Sequence, residues 1–453
     1  MSPLVVTVGK AGGRGRAVLV AACTALVTGF LLVAVSMLRL GDPYASGYRS
    51  GYRSGYVTVV PMEPLGRVFT PLNDPSTRSG VVFGVVLLTV PFLALLNQGV
   101  RLGTAARRRR YDALAVVGAT RSDLRRCAAL EVGAPGAAGA VLGIGVYWLM
   151  RFVLGIGLED NTIGALVPPH VGPGLWTVPV VVVVSALAFV AGARSVRGRG
   201  TTATRGSART AMWLLVFLAG AGLMVVGSQG MGSSDRQVPE LLALTFLVAG
   251  LAGLTPWVTA RVARAVSRRV SSPHLLLAAR RLELDATSAS RAGLASGAAG
   301  LALGACAMLT SEVWHYGPLD RREYTDSTFL AAGLAVLAFL LVGVALAVHI
   351  TDSVLAERRA YASLSATGFP TSSLVAALRS EALIATLPIA VTGCLIGTVG
   401  YAVVSETGNL WVSWAAGALA ATVVAAVASS YAASAVLAPV VSGAVRSGAI
   451  RTE

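Results

Sequence analysis

The sequence predicts an all-α polytopic membrane protein, and three observations carry that prediction. The 453 residues have a mean hydropathy of +0.71. Only 13% of them are charged, about half the fraction of a soluble protein. The apolar residues also come in long blocks without Asp, Glu, Lys or Arg. A bilayer core of about 30 Å takes about 20 helical residues. Ten charge-free windows reach that scale: 17–38, 79–100, 132–150, 171–193, 210–231, 241–260, 292–311, 327–348, 382–405 and 410–437. A central charge costs about 2.5–3.5 kcal/mol on insertion, so such windows are what insertion selects. They lack the alternation of barrel strands, and backbone facing lipid must satisfy its own hydrogen bonds. Ten transmembrane helices are therefore expected.

Ten spans place both termini on one side. With the termini cytoplasmic, 28 of the 37 basic residues lie inside, while 12 of the 21 acidic residues lie outside. Basic residues concentrate on the cytoplasmic side of membrane proteins, so the net charge of +16 reads as a topology signal and an attraction to anionic lipid, with no nucleic acid implied. The first block is too long for a signal-peptide core and is expected to remain as an uncleaved helix. The cysteines, Cys23, Cys127, Cys306 and Cys394, show no metal-site spacing and none falls in an outer loop, so neither zinc nor a disulfide framework is expected.

The spans contain an internal repeat at an offset of 250 residues. RRRRYDALAVVGATRSDLRRCAALE at 107–131 matches ERRAYASLSATGFPTSSLVAALRSE at 357–381. The paired positions include Arg108/Arg358, Arg109/Arg359, Tyr111/Tyr361, Leu114/Leu364, Gly118/Gly368, Leu124/Leu374 and Glu131/Glu381. Each copy reads as an extension of one helix, a glycine turn, and a short helix entering the next span. Gly118 and Gly368 suit a turn needing positive φ. Glu131 and Glu381 read as acids at a helix start, where the dipole favours a carboxylate. An even number of spans separates the copies, so both halves share one orientation and the pseudo-two-fold axis follows the membrane normal. Spans 1–4 then form one four-helix unit (1–193), spans 7–10 another (275–453), and an Arg-rich linker with spans 5 and 6 (194–274) joins them.

These residues resemble the FtsX-like, MacB-type permease family of ABC transporters. The resemblance rests on a basic helix, a leucine-rich stretch ending LAVVGAT, an amphipathic segment and a glutamate at the next span. LLLAARRLELDATSASRAG at 275–293 resembles the amphipathic segment before such a unit's first span. Ten spans with two units resemble the permeases of antimicrobial-peptide resistance exporters, although the loop between spans 7 and 8 is too short for their large outer domain. The resemblance implies a permease in a bacterial plasma membrane, working with a separate ABC ATPase in two copies. ATP and Mg would sit on that partner, with no cofactor in this chain. It also implies that loops 101–126 and 351–379 are coupling elements. Their contacts would be Arg108, Arg109, Tyr111, Leu114, Gly118, Thr120 and Leu124, and in the second copy Arg358, Arg359, Tyr361, Leu364, Gly368 and Leu374.

The residues agree that any engine is elsewhere. A phosphate loop needs GxxxxGK[ST], and the single lysine, Lys10, is followed by Ala11. No ionisable group lies mid-span, which disfavours a proton- or sodium-coupled transporter. Apolar walls suit an amphipathic or lipid-like cargo. The alternative is a mechanical transmitter that moves no cargo. The outer loop 39–78 carries YASGYRSGYRSGY, whose Tyr48, Arg49, Tyr52, Arg53 and Tyr56 could contact lipid or substrate at headgroup level. A flexible low-complexity loop is the competing reading. Gly139/Gly143, Gly293/Gly297, Gly300/Gly304 and Gly393/Gly397 are spaced for close helix packing.

Overall fold

The computed structural model describes residues 14–41, 49–53, 56–60, 75–101, 113–114, 116–156, 167, 171–195, 206–230, 237–284, 286–314, 318–356, 358–368, 370–404 and 412–445. The helices are α1 (Arg14–Leu38), α2 (Pro75–Arg101), α3 (Arg121–Ile156), α4 (Thr177–Ser195), α5 (Gly206–Gly230) and α6 (Gln237–Arg269). They continue with α7 (Pro273–Leu284), α8 (Ala286–Val313), α9 (Pro318–Ala356), α10 (Arg358–Ala366), α11 (Thr371–Val404) and α12 (Val412–Val445). Among the described residues, eight helices are long and apolar enough to cross a membrane. Two shorter apolar stretches, Thr210–Val226 and Ala332–Val348, lie within α5 and α9. This is a multi-pass helical membrane protein.

The all-α expectation has one exception. β1 (Arg49–Arg53) pairs antiparallel with β2 (Tyr56–Val60), with Arg53 opposite Tyr56 and Arg49 opposite Val60. The low-complexity reading missed this hairpin because it weighed the Gly and Ser of the repeat and passed over the β-favouring run Tyr56–Val60.

Helix contacts repeat between the two halves. α1 packs on α3, α3 on α4 and α1 on α2; correspondingly α8 packs on α11, α11 on α12 and α8 on α9. Glycine sets the closest crossings. A methyl at Gly139 or Gly143 would strike α1 at Ala21, Thr24, Ala25 or Thr28. A methyl at Gly393 or Gly397 would strike the α8 backbone at Gly297 or Leu301. Helices in lipid associate through such close van der Waals packing because hydrophobic burial no longer distinguishes helix from solvent. Many hydroxyls in the spans bond their own helix, as Thr24 does to the Val20 carbonyl and Thr386 to that of Ala382, which satisfies their polarity locally.

The halves meet at α2, which packs against both α8 and α9. Leu88 and Phe92 of α2 share a buried cluster with Ala335 and Phe339 of α9, while Leu95 and Leu96 share the next with Ala345. Sequence number rises in the same direction along both helices, so α2 and α9 run parallel. Arg291 Nη1 of α8 also donates to Asn97 Oδ1 of α2 at 3.1 Å. The intervening pair is not placed evenly: α5 packs on α6, and α6 packs on α8, α11 and α7, and less extensively on α2 of the first half.

Candidate coupling site

The two repeat copies form turns of one kind. Gly118 has φ +100° and Gly368 φ +90°, a region where a Cβ clashes with the backbone. Ahead of Gly118, the Val117 N–H donates to the Ala113 carbonyl at 3.3 Å; ahead of Gly368, the Thr367 N–H donates to that of Ser363 at 3.1 Å. The Ala119 N–H then reaches the Leu114 carbonyl at 3.0 Å. That bond and the left-handed glycine make a Schellman-type helix end.

Immediately afterwards α3 begins with a reciprocal cap. Thr120 Oγ1 donates to Asp123 Oδ2 at 2.6 Å, the Thr120 N–H donates to the same oxygen at 3.1 Å, and the Asp123 N–H donates to Thr120 Oγ1 at 3.3 Å. Two free amide groups are satisfied at once, as in a capping box. The T-R-S-D pattern at 120–123 carried this signal in the sequence. Thr120 thus has a defined task within the turn itself.

The two glutamates are not at helix starts. Glu131 lies ten residues inside α3 and Glu381 ten residues inside α11, because each short helix runs into its span without a break. Both pair with arginines. Arg16 Nη2 of α1 lies 2.5 Å from Glu131 Oε1, with Arg16 buried. Arg281 Nη1 of α7 lies 3.4 Å from Glu381 Oε2. Each lever helix is therefore held by an ion pair to the helix at, or just before, the start of its unit's first span.

Arg281 does more than Arg16. Its Nη2 donates to Ser353 Oγ of α9 at 2.8 Å, its Nη1 donates to the Tyr361 hydroxyl of α10, and its guanidinium lies 5.5 Å from the Tyr361 ring centroid. One side chain joins α7, α9, α10 and α11. Sequence reasoning missed it because its partners lie 72 to 100 residues away.

This packing corrects two expected contact residues. Tyr361 (4% exposed) and Leu374 (0%) lie in a buried cluster with Val354, Leu378 and Ala382. They hold α10 and α11 against the bundle and are not presented to a partner. What is presented lies at the turns. Val116 and Val117 are 89% and 86% exposed, Leu114 and Thr120 are exposed, and Leu124 is half-buried. In the second copy Ala366, Thr367 and Gly368 are exposed. Arg108, Arg109 and Tyr111 lie outside the described residues. Arg358, Arg359 and Leu364 fall on α10, with side chains outside the described set. Of the outer-loop candidates, Arg49, Tyr52, Arg53 and Tyr56 fall on the hairpin and Tyr48 lies outside the described residues.

Two glycine turns, each leading without a break into a membrane helix and each tied by a glutamate–arginine pair, define the site. Residues 81–200 match the family model for the FtsX-like permease C-terminal domain. That segment is similar to the FtsX-like permease C-terminal domain over about a quarter of the chain. The matched FtsX-like segment spans most of α2, the first turn, its clamp residue Glu131, α3 and α4. No curated protein matches the chain.

Proposed function

We propose that this chain is the permease subunit of an ABC transporter whose ATPase is a separate polypeptide, and that its cargo is a hydrophobic or amphipathic compound, peptide or lipid. The observation that carries this reading is the pair of matched turns, set in parallel halves and one of them inside the FtsX-like segment. Each turn docks one copy of the ATPase. Closure of the ATPase pair pushes the turns, and α3 and α11 carry the push across the membrane as unbroken helices. The ion pairs make each lever move with its unit's first span. Exposed Val116 and Val117 supply the apolar contact expected at the centre of an interface.

The same reading takes α5 and α9 as full spans, giving ten, with units 1–193 and 275–453 about the linker 194–274. It places both termini in the cytoplasm of a bacterium and the turns on the cytoplasmic face. The matched packing of α1–α4 and α8, α9, α11 and α12 supports the two-unit division.

Purifying the chain from its native membranes under ATP and vanadate tests this directly. A nucleotide-hydrolysing partner should co-purify at two copies per permease. Leu114→Glu with Gly118→Glu should abolish that retention. Labelled-cargo transport by the reconstituted complex separates export from purely mechanical transmission. Full activity without any nucleotide-hydrolysing companion would sink the proposal.

A further inference from the structure

We propose that the cavity at the end of the first unit opposite the turns binds one phosphate-bearing anionic phospholipid by its headgroup. The proposal depends on the chain spanning a membrane and not on the ATPase, so either can fail alone.

The cavity has a volume of ≈ 270 Å³ and is lined by Leu32 of α1, Ile144, Tyr147, Trp148 and Arg151 of α3, and Thr177 of α4. Arg151 lies twenty residues beyond Glu131 on one helix, about 30 Å away at 1.5 Å per residue. That is the thickness of a hydrocarbon core, about 30 Å. If the Arg16–Glu131 pair marks one boundary of the bilayer, Arg151 stands at the headgroup level of the other.

The cation is held at the cavity wall. Its Nη1 donates to the Tyr147 hydroxyl at 3.4 Å, and its guanidinium lies 5.1 Å from the Trp148 ring centroid. A second cation is built in beside it. Arg39 Nη1, just past α1, donates to the Gly172 carbonyl at 2.7 Å. Gly174 has φ +57°, and a side chain there would collide with the Arg39 guanidinium. None of the described residues lining the cavity is acidic. Trp148, Leu175 and Trp176 are exposed around it, as in the aromatic belt at a membrane surface.

Positive charge, an aromatic rim, and an apolar lining from Leu32 and Ile144 match a phosphodiester headgroup with the start of its acyl chains. Among the described residues, the other half has no equivalent. The residue matching Arg151 is Tyr401, whose hydroxyl donates to Glu312 Oε2 at 2.5 Å, so an acid stands where an anion would bind. One site per chain follows.

Mere snorkelling of Arg151 to the interface would give diffuse headgroup contact without stoichiometry, and the two are separable. The full chain is reconstituted in nanodiscs of mixed phosphatidylglycerol and phosphatidylcholine, and retained lipid is counted by native mass spectrometry. One phosphatidylglycerol should stay bound in preference to phosphatidylcholine. Arg151→Gln should lower its retention tenfold or more, while Arg194→Gln at the other end of α4 leaves it unchanged. Millimolar inorganic phosphate should not displace it. Equal retention of the two lipids, full retention by Arg151→Gln, or displacement by phosphate would each overturn the proposal. Should Arg151→Gln not fold, a photoactivatable phosphatidylglycerol on the unaltered protein decides: crosslinks at Ile144 or Trp148 support the site, and their absence refutes it.

Discussion

The first turn stands open and the second is tucked in, although they descend from one sequence pattern. Around Gly118, Val116 and Val117 project with nearly their whole surface free, and α3 is secured by its own cap and by one ion pair to Arg16. Around Gly368, Tyr361 and Leu374 are buried, and Arg281 gathers four helices. The cause is α7, which packs on α6 and α11 and brings Arg281 to the base of the second lever. A duplicated motif thus retains its turn while its surroundings decide how rigidly it is mounted. The first copy presents the more apolar exposed surface. The second is braced more heavily to the bundle.

Removing the brace should have the largest effect. Arg281→Met takes the Arg281 guanidinium away from the partly buried Glu381 carboxylate, and the loss should fall at or below the lower end of the about 3–5 kcal/mol that a fully buried pair costs when one partner is removed. Hydrogen exchange in α10 and the start of α11 should rise sharply, with little change around Gly118. Arg16→Met should do the converse, loosening α3 against α1. Equal loosening of both turns in either variant would erase the contrast drawn here.

Next in size are the glycine crossings. Gly393→Val drives a side chain into the α8 backbone, and overpacking of this kind costs about 1–3 kcal/mol or more. Gly143→Val should destabilise the α1–α3 crossing similarly. A thermal melt in detergent should show both, and indifference to either would mean that the crossing is looser than described.

The turns themselves should respond alike. Gly118→Ala and Gly368→Ala each force an L-residue into positive φ, at about 1–2 kcal/mol. Thr120→Ala, which removes the cap, should cost about 1 kcal/mol and act on the first copy alone. Comparing these three variants by thermal melting sharpens the division between shared turn and private support.

The smallest effect is a pH dependence at α7. The Ser267 hydroxyl, which donates to Glu283 Oε1 at 2.5 Å, holds the Glu283 carboxyl below its ordinary 4.5, with Arg280 assisting. A depressed carboxylate stabilises the fold above its unfolded pKa and loses that contribution as pH falls through the folded value. The contact of α7 with α6 should therefore be intact at neutral pH and weaken only below about the ordinary Glu value, near 4. Glu283→Gln should abolish that dependence, as followed by exchange in α7.

Much of the candidate site was legible in the sequence. The 250-residue repeat located both turns, and the glycines within it signalled a conformation that other residues resist. The capping box was also readable in T-R-S-D, had that pattern been weighed. The glutamates were found but misassigned. Their role depends on arginines 115 and 100 residues away, and a helix-start argument considers only near neighbours.

Sequence by itself determined the apolar membrane helices, the 250-residue repeat and the glycine turns within it. Each follows from local rules: charge exclusion from lipid, the matching of residues at a fixed offset, and the steric freedom of a missing Cβ. Only the tertiary structure decided which arginine meets which glutamate, that Tyr361 and Leu374 face inward, and that Arg151 borders a cavity. Those outcomes depend on side chains brought together from distant segments, where closeness is set by how helices cross and leaves no periodic trace along the chain.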